Sequence, residues 1–418
     1  MPAAAGYNQE VTDDIAINVA RAEDWDAFYA SMSTAFNEAG DPETAEADRA
    51  IFEPARSLVA RDGDEIVGTA GIQTRHLAVP GGTVAAGHVT MVTVAPTARR
   101  RGLLTRFMHQ QFADIGAAGE PIAALWASEG RIYQRFGYGL ACRRLTMTID
   151  TREVRLNQMP EAPGRLRSAL AADVGKDLVD LYAQAYPHRP GWSQRHERTW
   201  HQLLADPPSR WNGWTARRAL LHEGTDGIDG YALWRAKSHW DGGGPAGEVR
   251  VHEVVALNPD AYASLWQFLL NVDLTRTTSQ WIAAIDEPLV YLVNEPRRLG
   301  LALGDALWVR IIDVPGALTA RRYAAPLELV LEVEDELIPA NAGRWQLTAT
   351  PEKVTCTSTV EPPDLELDIR ALGAVYLGDA VLGGLAGAGR VTERRPGALI
   401  TAAAAFTWPQ APSTVETF

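Results

Sequence analysis

Three consecutive arginines, Arg99, Arg100 and Arg101, followed by Gly102, form the densest chemical feature of the 418-residue chain. At the start of a helix they would make an anion site. The first amides of a helix have no intrahelical acceptor, the helix dipole favours negative charge there, and guanidinium groups add charge-assisted hydrogen bonds. The amides of Leu103 and Leu104 would point at the anion, and Gly102 lets the backbone approach a phosphate closely. The spacing differs from that of the commoner phosphate loops, since neither GxGxxG nor GxxxxGK followed by Ser or Thr occurs here. Further on, Ser128 and Glu129 precede Tyr133, whose phenol, with an ordinary pKa of about 10, keeps its proton at neutral pH.

The neighbouring sequence predicts the elements that position these groups. Val89, Met91 and residues 92–94 make a β-rich run, which Pro96 ends because proline has no N–H for the ladder. Leu104, Phe107, Met108, Phe112 and Ile115 then recur at helical spacing. Residues 122–126 read as a second buried strand, and Ser128 and Glu129 lead into a short helix carrying Tyr133 that ends at Phe136, Gly137, Tyr138 and Gly139. Upstream, residues 15–19 are strand-like, residues 24–36 helical, and Arg61-Asp62-Gly63-Asp64 is a hairpin turn. The acidic run with Glu38, Asp41, Glu43, Glu46 and Asp48 reads either as a solvated helix start or as a lip that attracts a polyamine.

Arg99-x-x-Gly102-x-Leu104, behind a V-T-V strand and ahead of IYxRFGYG, resembles the acetyl-CoA site of GCN5-related N-acetyltransferases (GNAT), with leucine where many members have glycine or alanine. More narrowly, TVAPTxRRRGLL followed by AALxASEGxIYxRFGYG resembles the Eis (enhanced intracellular survival) acetyltransferases of actinobacteria. The resemblance implies an α/β (α+β) architecture: tandem GNAT folds, the second degenerate, followed by a sterol-carrier-like α+β domain.

Acetyl transfer to an amine needs an unprotonated amine, donors for the developing oxyanion and an acid for the departing thiolate. Main-chain groups of Met91, Val92 and Val94 would serve the thioester and pantetheine if that strand splays from residues 122–126. Tyr133 is the natural acid, as in the family; Tyr138 reads instead as a turn-packing ring. Ser128 is a cap that could also hydrogen-bond near the sulfur. The resemblance further implies that the carboxylate of the final residue, Phe418, is the base, and it sets Phe36, Glu38, Trp126 and Glu416 on the acceptor side. It implies acetyl-CoA as co-substrate, no metal, an aminoglycoside or other cationic multi-amine as acceptor, and a homohexamer. A protein lysine or a natural-product amine is the alternative acceptor, and a lipid-binding or interaction protein with a vestigial enzyme is the alternative function.

Length suggests two or three domains. Boundaries are expected at 1–150 for the acetyltransferase, 151–304 for the degenerate copy and 305–418 for the C-terminal domain, the first marked by the Pro/Gly-rich NQMPEAPGR near residue 160. The middle part repeats the strand–helix–strand–helix order, with Glu287 and Tyr291 spaced like Glu129 and Tyr133, but Asp260, Ala261, Tyr262 and Ala263 stand where the first copy has Arg99 to Gly102. Such a site would repel an anion. In HRPGWSQRHERTWHQLL, Trp200 occupies the second ligand position of an HExxH pattern, so the stretch reads as structural, with Ser193 a helix cap. A net charge of −13 and a pI of about 5.2 disfavour nucleic acid and favour cationic partners. The first residues lack a basic, apolar leader, no stretch is apolar enough to span a bilayer, and Cys142 and Cys356 lie far apart, together suggesting a cytoplasmic enzyme with reduced thiols.

Overall fold

The computed structural model describes residues 15–157 and 164–418. The leader reading over the first fourteen residues, and most of the Pro/Gly-rich stretch near residue 160, lie outside the described residues. Two seven-stranded sheets and one five-stranded sheet organise the chain.

The first sheet runs, edge to edge, Ala16–Val19, Leu58–Asp62, Glu65–Val79, Gly82–Val94, Ile122–Trp126, Leu307–Ile311 and Gly139–Leu140. Side chains of a strand alternate between faces, and here both faces are covered. On one face the helix Leu103–Ala117 packs Met108, Phe112 and Ile115 against Ile72, Val89, Ala123 and Leu125. Burying each such side chain stabilises the fold by roughly 1.5–3 kcal/mol. On the other face Val84, Ala86, Ile122 and Ala124 join a core shared with Leu329, Leu372 and Phe406 of the C-terminal unit.

The second sheet is Ala302–Asp305, Arg143–Asp150, Thr275–Ala283, Gly247–Ala256, Gly227–Lys237, Arg218–Gly224 and Arg165–Leu170. The two sheets exchange strands. Arg143–Asp150 lies before the boundary expected at residue 150, yet it pairs with Thr275–Ala283 and Ala302–Asp305 of the second sheet. Leu307–Ile311 lies after the boundary expected at 304, yet it returns to the first sheet between Ile122–Trp126 and Gly139–Leu140. The two crossings are tied together, with the amides of Ala141 and Cys142 donating to Leu307 O and Ala306 N donating to Cys142 O. Strand propensity marks each segment as extended, but which sheet it joins depends on partners far away in sequence.

The middle part does repeat the first. Its strand Gly247–Ala256, helix Pro259–Leu269, parallel strand Thr275–Ala283 and short helix Leu289–Leu292 follow the same order. The third sheet, ordered Val354–Ser358, Gly343–Ala349, Leu327–Glu334, Leu365–Asp368, Val391–Glu393, carries four short helices among the described residues, the first Val314–Ala320 and the last Ala398–Phe406.

Candidate active site

The site begins where two strands part. Parallel pairing of Gly82–Val94 with Ile122–Trp126 runs from Ala86↔Ile122 to Val89↔Leu125 and then stops. At that point the register against Glu65–Val79 shifts between Thr69 and Gly71, and Met91 takes a left-handed φ of 54°. This is a β-bulge, which bends the strand away from its neighbour. Thr69 Oγ1 donates to Met91 O at 2.7 Å and holds the bend. Residues 92–94 therefore face the gap with no strand opposite them on that side.

The loop after Val94 reaches the helix start through two more left-handed residues, Arg100 at φ 66° and Gly102 at φ 75°. Left-handed residues in such a turn gather backbone amides into anion-binding concavities. Gly102 is the N-cap of Leu103–Ala117, and no side chain caps that start. Arg99 and Arg100 are exposed and have no ion-pair partner among the described residues, whereas Arg101 pairs with Asp62 at 3.2 Å. The helix start in the second copy is different. Asn258 Oδ1 accepts from Ala261 N at 2.8 Å, and Asp260 adds a negative charge in the first turn. Its orphan donors are partly satisfied internally, and an anion would meet a carboxylate.

A cavity of about 950 Å³ occupies the gap, and Val92, Val94, Arg99, Arg100, Gly102, Leu103, Leu104, Ser128, Tyr133 and Phe36 all line it. Its volume, uncapped helix start and unpaired arginines suit a long molecule with a phosphorylated end. Tyr133 is 7% exposed, its hydroxyl has no partner among the described residues, and burial pushes its pKa up to about 12. It is a proton donor at every physiological pH. Tyr138 is fully buried, its ring edge-on to Tyr133 at 5.9 Å, and lies in the core. The counterpart of Tyr133 in the second copy, Tyr291, is 81% exposed.

The remaining expected residues are off this cavity wall. The Met91 side chain packs with Trp25 and Phe28 beneath the helix Trp25–Phe36. Glu38 is exposed just past that helix. Trp126 stacks on Trp281 at 5.5 Å, with Arg144 over the Trp281 ring at 4.3 Å. Phe418 packs its ring 4.6 Å from His88. Trp126 and Phe418 both join the core on the sheet face opposite the helix Leu103–Ala117. The cavity and these two residues thus lie on opposite faces of one sheet at its fork.

The carboxylate of Glu416, a residue expected on the acceptor side, is taken up by Arg75 and by Arg195, the latter at 2.8 Å. Burial favours its protonated form, but the two guanidinium groups win and hold it below the usual carboxylate range. The acidic run is a helix start, as one of the two readings expected, but it is not simply solvated. Asp48 pairs with Arg210 at 2.9 Å and accepts from Gln202, while Asp41 caps Pro42–Arg49 and accepts from Ser209. Two of the five, Asp41 and Asp48, therefore dock the first unit onto the second, leaving Glu38, Glu43 and Glu46 without ion-pair partners among the described residues. Ser193 is not the helix cap either, since His196 holds that place and Ser193 Oγ lies 2.8 Å from His88 Nε2. Sequence reading missed Arg75, His88, Arg195 and Glu253. For Arg75, His88 and Glu253 the available signal was a charged or polar residue at an inward-facing strand position, whereas Arg195 lies in a loop and carried no such signal.

Residues 16–141 and 191–311 each match a family profile described as an acetyltransferase (GNAT) domain, and residues 314–415 match a sterol carrier protein domain. A protein of Streptomyces avermitilis described as an N-acetyltransferase is 42% identical, over 95% of this chain and 98% of its own length. N-acetyltransferase Eis of Mycobacterium bovis is 34% identical over 89% of this chain and 92% of its own. The chain belongs to the Eis family of N-acetyltransferases. The crystal structure of Eis1 from Mycobacterium abscessus superposes with a TM-score of 0.83 at 31% identity, covering 96% of this chain and all of that one. This Eis-family enzyme therefore has two GNAT units and a sterol-carrier-like unit, and GNAT enzymes use acetyl-CoA. Among the described residues no helix is long and apolar enough to cross a membrane.

Proposed function

We propose that the enzyme transfers acetyl from acetyl-CoA to amines of multi-amine cations, either aminoglycosides or other polyamines. The observation that carries this reading is the cavity at the fork, which joins an uncapped, arginine-flanked helix start to a buried, protonated tyrosine. Arg99, Arg100 and the amides of Leu103 and Leu104 would hold the phosphates. Backbone groups at Met91, Val92 and Val94 would align the pantetheine arm and the carbonyl. Acetyl-CoA supplies an acetyl group activated as a thioester. Tyr133 Oη holds the proton that a departing thiolate needs, with Ser128 beside it. On the opposite face the Phe418 carboxylate would take the amine proton, directly or through water, near Trp126, with Phe36 at the cavity wall and Glu38 just past its helix completing the acceptor side.

Glu38, Glu43 and Glu46 leave negative charge on the acceptor side, which favours polycations over neutral amines. The fit of the buried, unpaired thiols Cys142 and Cys356 with a reducing compartment supports a cytoplasmic setting. A symmetric hexamer is the assembly proposed. The test is thiol release from acetyl-CoA with aminoglycosides, polyamines, lysine peptides and neutral monoamines as acceptors. Multi-amines should be consumed far faster; equal rates with neutral monoamines would rule out electrostatic selection.

A further inference from the structure

Four charged side chains from four parts of the fold meet in one buried cluster. Arg75 comes from the strand Glu65–Val79 of the first sheet, Glu253 from Gly247–Ala256 of the second, Arg195 from the loop before the helix Glu197–Leu204, and Glu416 from the tail. Arg195 Nη1 and Nη2 donate to Glu253 Oε1 and Oε2 at 3.0 and 2.6 Å, and its Nε donates to Glu416 Oε2 at 2.8 Å. Arg75 Nη2 donates to Glu416 Oε1, and its Nε donates to Gln194 O at 2.7 Å. The Tyr231 hydroxyl donates to Glu253 Oε1 at 2.7 Å. The side chains of Arg75, Arg195, Glu253 and Glu416 are at most 10% exposed. Two positive and two negative charges balance, and His88 adds none, because complete burial and the neighbouring Arg75 push its pKa down to about 3.

The tail is also held upstream. Ser413 N donates to Pro190 O and Trp192 Nε1 to Ser413 Oγ, each at 2.9 Å. The backbone of Gly191, at φ 92°, passes so close that a Cβ there would lie 2.3 Å from Ser413 O. Most of these receptor groups, at residues 190–195 and 253, belong to the unit whose own helix start is capped by Asn258 and carries Asp260. A charge buried this deeply must stay paired, so Glu416 has one low-energy position. Phe418, two residues on, inherits that register and rests on His88.

We propose that the second GNAT unit works as the receptor for the tail, with Arg75, Arg195 and Glu253 acting through Glu416 as positioning residues that keep Phe418 at the fork. The proposal rests on the reading of Phe418 as the base. It gives the degenerate unit a part in the reaction that needs no cofactor of its own.

The test uses the full-length enzyme with Glu416→Gln, which keeps shape and removes one charge, and Gly191→Ala, which crowds the tail without touching any charge. Both should lower kcat for amine acceptors about tenfold or more and leave the KM for acetyl-CoA within twofold. Carboxypeptidase should release Phe418 from both variants and not from the unaltered enzyme. Deletion of Phe418 serves as the control for the base. If the deletion lowers kcat but both variants keep full kcat and a protected Phe418, the receptor role is wrong. Lowered kcat with Phe418 still protected would also overturn it, since the loss would not come from positioning. If the deletion itself is neutral, the base assignment fails, and release or protection of Phe418 in the variants still decides whether the cluster docks the tail.

Discussion

At the scale of single residues, the decisive contrast is between charges left open and charges taken up internally. Arg100 is exposed, lines the cavity and has no ion pair among the described residues, so Arg100→Glu should raise the KM for acetyl-CoA by at least tenfold with little change in melting temperature. Steady-state kinetics at varied acetyl-CoA checks it, and an unchanged KM would move the phosphate site elsewhere. Tyr133→Phe should lower kcat by roughly 10²–10⁴ with acetyl-CoA affinity retained, the range for loss of a general acid. Because burial pushes the Tyr133 pKa up to about 12, kcat should show no loss from this group as pH rises to 10. A tyrosine-dependent alkaline limb near pH 9 would contradict that. Glu287 titrates oppositely to most carboxylates: burial pushes it up to about 7, against Arg189 and the backbone at Leu289 and Ala284. Its folded-state pKa exceeds the unfolded value of 4.5, so its contribution to stability is full below that value and is lost as pH rises through 7. Glu287→Gln should therefore gain on the parent enzyme between pH 5 and pH 8, by roughly 3 kcal/mol at about 1.4 kcal/mol per pKa unit. Denaturant unfolding at both pH values reads the difference, and an equal effect at each would show that Glu287 is paired.

At the scale of elements, two copies of one strand–helix unit differ at the helix start. The first leaves its amides open behind Gly102, and the second caps them with Asn258. Asn258→Ala should cost about 1 kcal/mol of stability, the ordinary worth of such a cap, and leave the KM for acetyl-CoA unchanged. A changed KM would mean that the second copy contributes to donor binding after all. The bulge at Met91 belongs to the same scale. It converts a paired strand into one edge of a fork, and it does so with a left-handed residue that is not glycine.

At the scale of the molecule, the two large sheets are interlocked, each holding a strand from the other's side of the expected boundaries. Neither can form its full ladder alone. Calorimetry of the intact chain should show the two sheets melting in one transition, and a chain ending at residue 150 should aggregate, because Ile122–Trp126 would lose Leu307–Ile311 and present a bare edge. Two separated transitions assigned to the two sheets would count against this interlock.

Alternation of apolar residues, helical spacing after Gly102, and turn residues such as Asp62-Gly63 depend on neighbours a few positions away, so the sequence by itself determined the strand–loop–helix that lines the cavity and the short helix carrying Tyr133. The same local signals made the repeat legible, including the loss of its arginines at residues 260–263. Burial and pairing of charge are different, because they depend on which surfaces meet. Only the tertiary structure decided that Asp48 docks the second unit, that residues 143–150 change sheets, and that Glu416 closes on Arg75, 341 positions earlier in the chain. A carboxylate in a polar tail looks alike in sequence whether it faces a substrate or a buried guanidinium, and the difference is made by desolvation, which exists only once the chain has folded.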